Sequence, residues 1–224
     1  MEVRFLGHAC FALTDGQDTV VIDPFLTGNP KAAIAAGDVS ATAILVTHGH
    51  VDHVGDAVSI AKRTGAPVTA ITELAGEIGE EGVDANGPNM GGTVKFDWGW
   101  VKLVPAWHTS TTPKGMVCTP AGMLINFNDT VVYHLGDTCL FSDLSLVGKR
   151  HPIDVALMCI GGHYTMDRTD AVDAADLVGA KTVIPCHYNT FPLIETDAQT
   201  FKSDVESSTR SNVVVLDPGQ SQTV

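Results

Sequence analysis

The stretch Thr47-His48-Gly49-His50-Val51-Asp52-His53 constrains this chain more than any other. Three imidazoles and one carboxylate fall within six residues, directly after the apolar run Ala43-Ile44-Leu45-Val46. Val54, Ala57, Val58 and Ala61 follow at the spacing of one helical face. The segment therefore reads as the end of a buried strand, a short loop and the first turn of a helix. On the loop, His48 and His50 are two residues apart and can turn toward one ion. Asp52 and His53, where the helix begins, turn toward a second ion beside it. Neutral imidazole and carboxylate suit zinc, and also iron or manganese.

Around this motif the pattern is strands as hairpins first, then strands alternating with helices. Val3–Leu6, Cys10–Leu13 and Thr19–Ile22 read as short strands separated by Gly7 and by Asp15-Gly16. Later strands are expected at Pro67–Ala70, near Val83, and at Val101–Val104, with a short helix from Glu73. Met123–Phe127 and Thr130–Leu135 form an expected hairpin about Asn128-Asp129. Asp154–Ile160 is a continuous buried run, a helix begins at Thr169, and Thr182–Ile184 is a further strand. A last helix carries Ala198, Phe201 and Val205, and Val213–Leu216 closes the chain as a strand. The plan occurs twice, which implies α/β architecture with two mixed sheets face to face and helices on the outer faces, an αββα sandwich. No linker or low-complexity stretch divides residues 1–224, so one domain is expected. Gly87–Gly92 is glycine-rich but lacks the G-K-[ST] ending of a phosphate loop.

Strand ends in the second half deliver His108, Asp137 and His187, each just before a break. With the motif they make seven candidate ligands: His48, His50, Asp52, His53, His108, Asp137 and His187. His48, His50 and His108 would hold one ion. Asp52, His53 and His187 would hold a second, and Asp137 would bridge the two. Paired divalent ions share a water and bring its pKa toward neutrality. Asp52 is the expected orienting base, and His163, after a Gly-Gly turn, is a second catalytic candidate able to protonate a leaving group or bind an anionic substrate, with a structural hydrogen bond as the other reading. Asp137 could instead cap a following helix. Asp23 is placed behind a ligand imidazole, His8 near the first turn as a supporting residue, and His134 as a packed histidine. His151, beside Lys149-Arg150, reads as solvated. Cys186 points away from His187 by strand alternation. The tryptophans are candidates for the pocket or the core, with the core preferred for two of Trp98, Trp100 and Trp107.

The order T-H-x-H-x-D-H, a later His, G-D-T and a late His resembles the metallo-β-lactamase superfamily over nearly the whole chain. Within it the chain is most similar to the uncharacterised metal-dependent hydrolase family related to phosphorylated-ascorbate lactonases. Gly7-His8-Ala9-Cys10-Phe11, Asp23-Pro24-Phe25, Gly136-Asp137-Thr138, Gly161–Met166 and His187–Pro192 carry that likeness. It implies the αββα fold and a dinuclear site and names no substrate. Cys139 after G-D-T departs from the glycine expected there.

Composition narrows the function. Net charge is −13, which repels phosphate backbones and counts against nucleic acid as a partner. The chain lacks the basic patch and extra clamp domain that an RNA-processing metallo-nuclease, the main alternative, would use. A flavin-partnered di-iron protein would carry glutamate in place of His50. A catalytically silent metal-binding protein would have lost several ligands, whereas all seven are present. The five cysteines are scattered and read as reduced thiols. No signal-like segment or membrane-length apolar run is seen, so a cytoplasmic protein is expected. The expectation is a dinuclear hydrolase holding two divalent ions, zinc first and manganese or iron next. It would act on a small ester-type substrate, a lactone or phosphodiester, and homo-oligomerisation is compatible with it.

Overall fold

Alternation along the second-half strands sorts their side chains into two separate cores. Met123, Ile125 and Phe127 face one core while Leu124 faces the other, and Val155 and Leu157 oppose Ala156 and Met158 in the same way. This is the period-2 rule of a sheet buried on both faces. The computed structural model describes all 224 residues. One sheet has the order β14-β1-β2-β3-β4-β5-β6, built from β1 (Glu2–Gly7), β2 (Cys10–Thr14), β3 (Thr19–Ile22), β4 (Ala43–Leu45), β5 (Val68–Thr69), β6 (Ala85–Asn86) and β14 (Ser221–Thr223). The other has the order β13-β12-β11-β10-β9-β8-β7. It is built from β7 (Thr93–Phe96), β8 (Gly99–Pro105), β9 (Ala121–Phe127), β10 (Thr130–His134), β11 (Val155–Cys159), β12 (Thr182–Cys186) and β13 (Asn212–Val213). Each sheet is antiparallel on one side and parallel on the other.

The larger core lies between the sheets. It joins Val3, Phe11, Leu13, Val20 and Ile44 of the first sheet to Val101, Leu103, Ile125 and Ile184 of the second. It runs on beneath α2 (Ala57–Thr64) and α3 (Thr72–Gly79), which contribute Ile60, Leu74 and Ile78. The smaller core covers the outer face of the second sheet. There α5 (Arg168–Val178) contributes Ala171, Ala174 and Val178, and α6 (Ala198–Ser208) contributes Phe201 and Val205. α5 and α6 start on Asp167 and Asp197, whose carboxylates accept from two backbone N–H groups each. The sandwich is thus the expected one.

Three local expectations change. The helix after the histidine motif is broken into α1 (Val51–Val54) and α2, because Gly55 turns at φ 39°. A side chain there would meet the Pro24 carbonyl at 2.5 Å, so the chain can pass only as glycine. The closing strand at Val213–Leu216 shrinks to a two-residue pairing with β12, and the chain instead ends on β14, antiparallel to β1. The strand expected near Val83 lies at Ala85–Asn86. The hairpin between β9 and β10 turns on Asn128 and Asp129, both at positive φ, the backbone of a two-residue turn with right-handed twist.

Candidate metal centre

Six connections on one edge of the sandwich carry the polar cluster. The β1–β2 turn gives His8, the end of β3 gives Asp23, and the end of β4 with α1 gives His48, His50, Asp52 and His53. The ends of β8, β10 and β12 give His108, Asp137 and His187. β4, β10 and β12 run parallel to a sheet neighbour, so their carboxyl ends open outward together. Gly49 lets the motif loop touch its neighbour: its N–H donates to Ser110 Oγ at 2.9 Å, and a Cβ there would sit 2.8 Å from the Thr111 carbonyl.

Asp137 Oδ2 is the geometric centre of the cluster. It lies 3.1 Å from His187 Nε2, 3.4 Å from His53 Nε2, 3.5 Å from His108 Nε2 and 3.9 Å from His48 Nε2. The donors form two neighbouring groups. His48, His50 and His108 make one, and Asp52, His53 and His187, with His8, make the other; Asp137 also groups with His48 and His53. His48 Nε2 and His50 Nδ1 face each other at 3.0 Å. Asp52 Oδ2 lies 3.7 Å from His187 Nε2 and 3.8 Å from His53 Nε2. All seven side chains expected to ligate are thus gathered in one place. Asp137 caps no helix, since α4 (Leu144–Arg150) starts seven residues further on.

Behind the nitrogens lies a layer of fixed partners. Asp23 is fully buried and accepts from Thr47 N–H at 2.8 Å, from Thr47 Oγ1 at 2.7 Å and from His53 Nδ1 at 2.7 Å. Since Thr47 gives its proton to Asp23, its oxygen receives the His48 Nδ1 proton at 3.0 Å. That leaves the lone pair of His48 Nε2 pointing into the cluster. His8 is held between Thr190 Oγ1 at 2.9 Å and Asp52 Oδ2 at 3.1 Å. A carboxylate can only accept, so His8 Nε2 donates and its other nitrogen takes the Thr190 proton. Burial pushes His8 down to about 4, which keeps it neutral. His8 thus holds Asp52 in place.

Charge balance in the cluster is tight. Burial works against both Asp52 and Asp137, but surrounding imidazoles outweigh it and hold both carboxyls below the usual range. Burial likewise opposes charge on His187 and His53; the Asp137 carboxylate overrides it, lifting His187 to about 9 and His53 well above its ordinary value. His48, buried among other imidazoles, is pushed down. A buried carboxylate, Asp137, and a half-buried one, Asp52, therefore demand positive charge between them. His53 Nε2 and both ring nitrogens of His187 are buried without a hydrogen-bond partner. Each such atom costs about 1–3 kcal/mol unless something binds it. Imidazole nitrogens and carboxylates converging on one point are the donor set of a divalent cation.

The cluster forms the floor of a cavity of about 640 Å³. Phe25, Tyr164, Phe191 and Leu193 are among its walls, and no tryptophan is. Trp98 is buried, Trp100 packs half-buried against the outer core and Trp107 is exposed. His163 is exposed and outside the cavity lining, its ring edge-on to Tyr164 at 4.5 Å between centroids. His134 is packed, facing the Ala9 carbonyl at 3.1 Å and accepting from Gly136 N–H. His151 is half-buried near Trp100 rather than solvated. Cys186 sits in the core between the sheets, where burial pushes its thiol well up, and Cys139 is exposed. The sequence pattern does not single out the supporting hydroxyls of Thr47, Thr190 and Ser110 or the aromatic walls. Nothing in a sequence distinguishes a threonine behind a histidine from any other.

Similarity to known proteins extends over most of the chain. Residues 2–187 match the family described as "Beta-lactamase superfamily domain". A "UPF0173 metal-dependent hydrolase" from Pelotomaculum thermopropionicum is 46% identical over 226 residues, covering 99% of both chains. The structure of Igni18, a metallo hydrolase from the archaeon Ignicoccus hospitalis, superposes with TM-score 0.90 at 35% identity, over 99% of this chain and 97% of that one. The metallo-beta-lactamase fold protein YhfI from Bacillus subtilis superposes with TM-score 0.74 at 13% identity, over 99% and 98% of the two chains, a likeness of fold alone.

Proposed function

The chain belongs to the beta-lactamase superfamily, and from that premise we propose that it is a metal-dependent hydrolase with a dinuclear site acting on a small ester-type substrate, a lactone or phosphodiester. The observation that carries this reading is Asp137 Oδ2 facing four imidazole nitrogens at 3.1–3.9 Å between two groups of donors. His48, His50 and His108 would hold one ion; Asp52, His53 and His187 would hold the other; Asp137 would be shared. Bound there, a pair of divalent ions, zinc first with manganese or iron as alternatives, supplies a water acidified toward neutral pH and a positive seat for developing negative charge.

The protein's own residues do the rest. Asp52 is the most exposed carboxylate of the cluster, with 27% of its side chain accessible. Its Oδ2 is held by His8, so its orientation toward the cavity is fixed and its carboxylate can accept a proton from the attacking water. Asp23 and Thr47 fix the rings of His53 and His48 so that both aim their Nε2 atoms inward. His163 serves as the proposed proton donor to a leaving group, from its place beside Tyr164 at the rim. No helix is long and apolar enough to cross a membrane, and the proposed setting is cytoplasmic, with small molecules rather than nucleic acid as partners.

The test is metal analysis after purification without chelator, followed by turnover on parallel panels of lactones and phosphodiesters. About two ions per chain and turnover on one panel are expected. A stoichiometry well below one, not restored by zinc, manganese or iron, would falsify the dinuclear reading.

A further inference from the structure

The cavity above the cluster has an unequal composition. Apart from the Tyr164 phenol, its charged or ionisable groups, His50, Asp52, His108, Asp137 and His187, are all members of the cluster itself. The remaining wall is Phe25, Val51, Tyr164, Phe191, Pro192 and Leu193, with Thr109 the one small polar side chain, and no lysine or arginine is present. Lys31 lines a separate hollow with Asn189, Glu195 and Asp197, and Lys114 is tied to Glu80 at 2.9 Å. Neither supplies charge to the cavity, and His163, edge-on to Tyr164, lies outside its lining.

The rim is also apolar where it meets water. Val51 is 72% exposed, Leu193 57% and Tyr164 53%. These three come from α1, the loop after β12 and the loop after β11, three separate segments that line the one cavity. Phe191 is anchored behind them, its ring packed on His8 at 5.6 Å and on Phe25 at 6.5 Å between centroids. A wall of this kind rewards a ligand with an apolar body and offers a remote anion no lysine or arginine, only the hydroxyls of Tyr164 and Thr109. A phosphate or carboxylate held away from the cluster would be desolvated against Phe and Leu without a counter-charge, in a chain that carries 26 acidic and 13 basic residues.

We propose that the substrates are neutral esters, lactones included, whose acyl or alcohol part is aryl or branched alkyl and bears no charged group away from the scissile bond. This rests on the hydrolase reading above. In the reaction, the water oxygen bonds to the acyl carbon and the acyl C–O bond breaks with its electron pair on the alcohol oxygen. That oxygen takes a proton, giving one carboxylic acid and one alcohol. Phe191 and Leu193 then determine specificity without touching the reacting atoms.

The experiment compares 2-naphthyl acetate, the same ester with a sulfonate on the far ring, and a bis(aryl) phosphodiester on metal-loaded protein. In parallel, equilibrium binding of 2-acetylnaphthalene, a neutral ketone that cannot be hydrolysed, is measured by NMR against its ring-sulfonated analogue. The neutral ester should exceed the sulfonated one by about tenfold or more in kcat/KM, mainly through KM, within the range one misplaced group commands. The neutral ketone should bind at least about tenfold tighter than its sulfonated partner. Leu193→Lys, an exposed rim change that folding tolerates, should shrink both gaps severalfold. Equal or better use of the sulfonated ester or the phosphodiester overturns the proposal, as does a Leu193→Lys protein in which neither gap moves. If no substrate is turned over, the hydrolase reading fails. The ketone pair still decides the character of the cavity: equal binding of the two ketones overturns the proposal.

Discussion

The two groups of donors share Asp137 and differ in what stands behind them. His48, His50 and His108 are all imidazoles, with no carboxylate among them, and His50 and His108 are half-buried at the cavity edge. Only His48 among them has a built support, through Thr47. The other group pairs a carboxylate with two buried imidazoles. It is backed by Asp23 on His53 and by His8 and Thr190 on Asp52. Oriented, negatively charged donors bind a cation more tightly than neutral donors free to turn. The first group should therefore exchange its ion readily, and the second should keep it until its own carboxylate is removed. Asp23 spans the contrast, since it holds His53 directly and His48 through Thr47.

The sharpest break of this contrast is Asp137→Ala. The shared anion disappears from four imidazoles, so metal should fall below one ion per chain and turnover below detection, as read by elemental analysis and initial rates. Retention of one full ion would mean that the groups are independent. Next is Asp52→Ala, which should empty the second group and leave the first, giving about one ion per chain. Loss of its proton-accepting role alone lowers the rate by ~10²–10⁴-fold; unchanged turnover would move water activation to another residue. His8→Ala keeps every proposed ligand and removes the hold on Asp52. Metal affinity of the second group should weaken by about 10–100-fold, with the first unaffected, in a competition titration. An equal loss at both groups would show that His8 supports the cluster as a whole. The smallest effect is the control Asp167→Ala, which deletes the N-cap of α5. It should cost ~1 kcal/mol, a fall in Tm of roughly 2–4 °C for a chain of this size, with metal content and rates unchanged. A shift in metal content there would mean that the differences between the groups reflect global stability.

The sequence alone carried the candidate ligand set that the structure gathers into one cluster, because ligation chemistry permits few residue types. A strand followed by His-x-His-x-Asp-His leaves little room for another reading, and His108, Asp137 and His187 stood out as polar residues closing apolar runs. The two-sheet plan was legible for the same reason: hydrophobic alternation is written residue by residue. The supports were not legible. Thr47, Thr190 and Ser110 act through hydroxyl contacts that reach residues distant in sequence, Thr47 to Asp23 besides its neighbour His48, and Thr190 to His8 across 182 residues. The wall of Phe25, Phe191 and Leu193 is likewise unmarked in the sequence, which offers Trp98, Trp100 and Trp107 as equal candidates.

What only the tertiary structure decided is direction. His8, Asp23 and His187 all adopt positive φ, a conformation costing a non-glycine residue of order 1–3 kcal/mol and unmarked in sequence. They are held there by contacts across the molecule, such as His187 N–H to the His8 carbonyl at 2.7 Å and Asp23 N–H to the Leu45 carbonyl at 2.9 Å. The sequence determined which atoms could bind a cation and on which edge they would emerge. Long-range backbone bonds decided which way each ring points. That lies beyond the sequence pattern because the partners of those bonds come from separate strands and meet only when the two sheets close.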